Sequence, residues 1–181
     1  MWHLPNLKNV LGNLMLMNKP YNLTLIIATL LLFVSMPICA KKPAKAEPLT
    51  YEIRCAGSGT QGHYLVEVST CVDKANQISE DVVMRCAVHG VLFRGFTGGQ
   101  GCTSQRPLTG SATQEQQHED YYKSFFESRS YINYASFVSG SMKTARVGKQ
   151  YKVTGAVSVA KDKLRRDLEK DGVIRGLSSG F

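Results

Sequence analysis

Cys102 lies in the glycine-rich stretch TGGQGCTSQRPLTGSA (97–112), where it would act as a nucleophile only with a base beside it. The histidines beyond residue 46 are His63, His89 and His118, and no motif ties any of them to Cys102. A small thiol-dependent enzyme using Cys102 and a histidine is therefore an alternative; the leading reading assigns no catalytic residue. Gly95, Gly98, Gly99 and Gly101 suggest a phosphate cradle, but GxxxxGK[ST] is missing and the next basic residue is Arg106. Glycines here are expected to serve turn geometry. A loop of this length in a small domain is usually either functional or disordered, so Gly99, Gln105 and Arg106 are candidate binding residues. Tyr122 joins them. It belongs to an aromatic helix in which Tyr121 and Tyr122 cannot both face inward, so one ring is left to stack on a sugar or peptide.

A second cluster, Glu115, His118 and Glu119, would sit at the start of that helix, with the two glutamates one turn apart. Cation or glycan binding is the chemistry it offers; acids at a positive helix terminus are the plainer reading. No HxH or HExxH occurs, and Cys55, Cys71, Cys86 and Cys102 are spaced by 16, 15 and 16 residues, unlike any zinc pattern. No metal and no cofactor are expected. Four cysteines allow three disulfide connectivities in an oxidising compartment. The competing expectation makes Cys55 and Cys86 small buried apolar residues.

Compartment is read from the amino terminus. LTLIIATLLLFV (23–34) follows a short basic segment and precedes small residues, as in a signal peptide, with cleavage after Ala40 or Ala46. Twelve residues are too few to span a bilayer as a helix. Met17 is a possible true start, and Ile38 before Cys39 argues against lipid attachment. Residues 1–46 hold five lysines and no acid, so the net charge of +8 falls to +3 without them. That removes the support for nucleic-acid binding. The expected organisation is a signal region at 1–46, a linker at 47–50 and one domain at 51–181, with no integral membrane segment after cleavage.

The elements that would position these residues follow from periodicity. Tyr51, Ile53 and Cys55 alternate with Glu52 and Arg54, a glycine-rich turn follows, and Tyr64, Val66 and Val68 give a second strand. Ser79 caps a helix whose apolar face carries Val82, Val83, Cys86 and Ala87. The apolar run at 91–96 predicts a third strand, Thr113 opens the aromatic helix, and 131–138 continues helical. A strand at 142–147, the turn at 147–150 and the alternation from Tyr151 to Val159 make a hairpin. A helix at 161–170 and a closing strand at Val173 and Ile174 complete the order ββ-α-β-α-ββ-α-β. This is an α+β two-layer sandwich: a mostly antiparallel sheet with about three helices on one face.

The unit YKVTGAVSVA (151–160), with Leu164, Leu168, Gly172 and Val173 after it, resembles the strand, helix and closing strand of TolB amino-terminal-like and LpoB-like envelope domains. RCAVHGVLFRGF (85–96) and the tail GVIRGLSSGF (172–181) are similar to stretches of uncharacterised secreted or periplasmic proteins of Bacteroidota. The resemblance implies an envelope location and names no activity. The expected function is an exported, non-enzymatic module, periplasmic or secreted, that binds an envelope protein or cell-wall component. Its contact surfaces would be the 97–112 loop and any exposed sheet edge able to accept a partner strand.

Overall fold

The computed structural model describes residues 49–99 and 101–176, within the compact unit Glu47–Phe181. The apolar run at 23–34, Met17, Cys39, both cleavage positions and the tail at 177–181 lie outside the described residues.

The described residues open with the hairpin of β1 (Tyr51–Gly57) and β2 (Tyr64–Val72), in which Tyr51 faces Thr70 and Cys55 faces Val66. Successive side chains on a strand alternate between faces. Val66, Val68 and Thr70 are thereby buried, while Glu67, Ser69 and Cys71 take the other face. Helix α1 (Glu80–His89) starts where the Ser79 hydroxyl accepts a hydrogen bond from the Val82 N–H at 3.4 Å, and Glu80 and Asp81 lie at its positive end.

The predicted third strand is not there. Gly90–Arg94 continues α1 as one wide π turn that buries Val91, Leu92 and Phe93. A run buried all round has the same apolar pattern in a helix as in an interior strand, so periodicity could not separate them. The turn ends at Gly95, whose φ is 68°; a Cβ there would lie 2.2 Å from the Gln105 carbonyl oxygen. Only glycine fits that position.

The aromatic helix comes in two pieces, α2 (Gln114–Gln117) and α3 (Glu119–Glu127), separated by non-helical backbone at His118. The segment expected to continue helical is instead a 3-10 turn, Ser130–Tyr134, followed by β3 (Ala135–Phe137). β4 (Lys143–Val147) and β5 (Gln150–Val159) form the predicted hairpin around Gly148 and Lys149. α4 (Lys161–Lys170) buries Leu164 and Leu168. Val173 and Ile174 do not close the sheet. Their N–H groups bond back to the Leu168 carbonyl at 3.0 and 3.4 Å, and both side chains cover the core as part of the helix cap.

The sheet is antiparallel throughout, ordered β1-β2-β5 with β3 and β4 sharing the far side of β5. β3 and β4 are one interrupted row. Between them the Ser141 hydroxyl donates to the Val138 carbonyl at 2.6 Å and accepts from the Ala156 N–H at 2.9 Å, bridging the gap in the ladder. Val66, Val68, Val153, Val157 and Val159 are fully enclosed beneath Val83, Ala87, Leu164 and the aromatic residues. Burying each valine contributes roughly 1.5–3 kcal/mol relative to exposure. The result is the expected α+β sandwich, with the strand order corrected as above.

Candidate functional site

The loop at 97–112 is tied down at several points. Phe96 and Gln105 exchange main-chain hydrogen bonds at 3.0 and 2.9 Å, as do Gly99 and Cys102 at 3.1 and 3.0 Å, making a small hairpin. Cys55 N–H donates to the Thr97 carbonyl at 3.2 Å, so the loop lies along the outer edge of β1. The Cys55–Cys102 disulfide fixes it there across 47 residues of sequence. Farther on, the Leu108 and Thr109 N–H groups bond to the carbonyls of Val91 and Leu92 on the π turn.

The candidate residues divide accordingly. Gly99 and Arg106 are exposed, and Arg106 has no ion-pair partner among the described residues. Gln105 is committed to the fold, its Oε1 accepting from the Tyr64 hydroxyl at 2.9 Å. Tyr122 is corrected: it is the inward tyrosine, packed edge-on against Phe93 at 4.7 Å, and it offers no ring to a ligand. Tyr121 is the partly exposed one and donates to Asp171 at 2.8 Å. Cys102 is also corrected as a nucleophile, since an oxidised sulfur carries no thiolate. Beside the disulfide is a cleft of about 90 Å3 lined by Gly59, His63, Tyr64 and Phe96. Cys71 is a free thiol on the open face, and Cys86 is a buried one whose pKa burial pushes up to about 11.

Glu115 and Glu119 do not share a helix turn, because the break at His118 puts them on α2 and α3. Glu115 turns instead to His89, accepting from or facing Nε2 at 3.0 Å, while His89 Nδ1 meets the Tyr51 hydroxyl at 2.7 Å. The Arg94 guanidinium stacks over the Tyr51 ring at 4.1 Å and donates to the carbonyls of Tyr51 and Leu49. Burial lowers the His89 pKa, with the Glu115 carboxylate opposing it, and burial raises that of Tyr51 well above the ordinary phenol range. This Tyr51–His89–Glu115 chain was not legible in the sequence, where its members are 38 and 26 residues apart. Among the described residues no cluster of histidine, cysteine and carboxylate side chains is placed to hold a metal ion.

A concavity lies on the sheet face that the helices leave uncovered. Glu52, Arg54, Glu67, Lys143, Lys152 and Thr154 line a trough of about 420 Å3. Arg54 Nε donates to Glu67 Oε1 at 2.8 Å, the Lys152 ammonium lies 3.9 Å from Glu52, and the Ser69 and Thr154 hydroxyls bond at 2.8 Å on its floor. Exposed pairs of this kind add little stability, about 0–1 kcal/mol each. They leave donors and acceptors of both signs presented to a ligand. Sequence alternation marks these residues as outward-facing; that β1, β2, β5 and β4 bring them together requires the strand order.

No protein-family model matches the chain, and no curated protein or solved structure matches it. No helix among the described residues is long and apolar enough to cross a membrane.

Proposed function

We propose that this protein is an exported module of the cell envelope that works by binding another envelope protein or cell-wall component, without catalysing a reaction. One observation carries the reading: helices cover a single face of the sheet, and the other presents the polar trough from Glu52 to Thr154. The Cys55–Cys102 disulfide supports an oxidising location, as does the signal-like run at 23–34. A periplasmic or secreted site follows from the same argument.

The test is site-specific photo-crosslinking in native envelope, with the reactive group at Thr154 in the trough or at Glu127 on the helical face. Capture at Thr154 that is absent at Glu127 is the expected result. Equal capture at both, or none at either, removes the proposal. A thiol enzyme on Cys102 would first need its disulfide reduced, and a glycan site would draw on Tyr121, the partly exposed ring of the helix.

A further inference from the structure

The two edges of the sheet are treated differently. At the β1 edge, the 97–112 loop bonds to Cys55 and is held by the disulfide. At the other edge, β4 pairs only with β5, and no strand among the described residues meets its outer side. All five residues of β4 are exposed. Its outward N–H and C=O groups form a template about 17 Å long on which another strand can pair.

Charge says what kind of strand. Between Glu127 and Asp162 the sequence has no acidic residue, and Lys143, Arg146, Lys149 and Lys152 fall on the β4–β5 hairpin. Lys143, Arg146 and Lys149 have no carboxylate partner among the described residues. Edge lysines discourage self-pairing, because two copies of β4 laid side by side would oppose like charges. The same lysines favour an acidic strand. The terminal segments outside the described residues, 1–48 and 177–181, contain a single acidic side chain, Glu47, too little charge to match this hairpin. Hydrophobicity narrows the partner again. Among the described residues the large apolar side chains that are exposed, Ile132, Val138 and Val147, all lie in this acid-free stretch, with Val147 at 55% exposure. Bare phosphate backbone has nothing to place on them, whereas a polypeptide strand has alternating side chains.

We infer that the β4 edge binds an extended acidic segment of a partner protein by strand addition, its carboxylates meeting Lys143 on the trough face or Arg146 on the opposite face, with Lys149 at the turn. The inference rests on the binding-module reading and specifies the partner class for one edge of it.

The test uses the folded, disulfide-intact chain and the peptide acetyl-EVEVEV-amide, with acetyl-KVKVKV-amide and an alternately N-methylated EVEVEV as controls. EVEVEV is expected to bind, to slow hydrogen exchange of the β4 amides, and to lose about tenfold in affinity against the exposed-site variant K143Q/R146Q/K149Q. Neither control should bind, since one reverses the charge and the other removes the main-chain donors. Equal binding of the N-methylated peptide would show charge without strand pairing, and equal competition by duplex DNA or phosphatidylglycerol vesicles would show a general polyanion surface. Either overturns the inference. Absence of EVEVEV binding and of β4 protection also overturns it; if trough-specific crosslinks at Thr154 persist, the broader proposal survives alone, and if they vanish both are lost.

Discussion

Protonating His89 means charging a ring enclosed by Tyr51, Phe93 and Phe126, with Arg94 and Arg85 nearby and only Glu115 to balance it. Its folded pKa is lowered below the ordinary 6.5, chiefly by burial. The unfolded chain therefore takes up the proton first, so this group's contribution is complete above about pH 6.5 and is lost as pH falls below it. The urea midpoint should stay level from about pH 8 to 7 and decline towards pH 5. In His89→Gln that part of the decline should flatten; an identical slope in the two proteins would mean that His89 is not buried neutral. Tyr122 gives the opposite lesson about a buried polar atom. Among the described residues its hydroxyl has no hydrogen-bond partner, and burial pushes its pKa up to about 12. Removing an unsatisfied buried group relieves a desolvation cost, so Tyr122→Phe should be neutral or stabilising by up to about 1 kcal/mol, read as an unchanged or raised Tm.

Elements were legible where a single rule governed them. The alternation in β1, β2 and β5 reads as half-buried strand, and Ser79 with Glu80 and Asp81 reads as a helix start. Gly90–Arg94 was misread because Val91, Leu92 and Phe93 are buried on every side and carry no period. The cap at Val173 and Ile174 was misread because β-branched residues after Gly172 fit a strand and a helix stop equally well. The site was less legible. Cys55 could have paired with any of three cysteines, and the choice of Cys102 depends on the loop lying along β1, which no local pattern encodes. That packing makes Gly95 the sensitive joint between α1 and the loop. Gly95→Ala combines a left-handed φ with a Cβ driven against Gln105, and should cost about 2–4 kcal/mol by urea denaturation. A loss under about 0.5 kcal/mol would show that the loop moves aside freely.

For the molecule as a whole, the disulfide joins an edge strand to the loop that covers it, across 47 residues. Chain-entropy arguments assign a crosslink of that span about 4 kcal/mol, so reduction under native conditions should lower unfolding free energy by about that amount. Little change would indicate that the loop's main-chain bonds suffice. The two free thiols should also behave differently towards an alkylating reagent. Cys71, exposed on the open face, should react at once in the folded protein, whereas Cys86, on the buried face of α1, should react only at the rate of unfolding. Comparable rates at the two positions would contradict the packing of α1 on the sheet.

That same crosslink closes β2, α1 and the π turn into a covalent ring, with α2, α3, β3, β4, β5 and α4 following as a tail. A protease that cuts once inside the ring, for instance in the exposed turn at 58–61, adds one water and releases nothing until the sulfurs are reduced. A cut in the tail at Gly148 leaves β5 with no covalent link to the ring, held by its main-chain hydrogen bonds to β2, β3 and β4 and by packing. Damage in the first part of the fold is therefore held covalently, whereas damage at the proposed docking hairpin is held by non-covalent contacts alone.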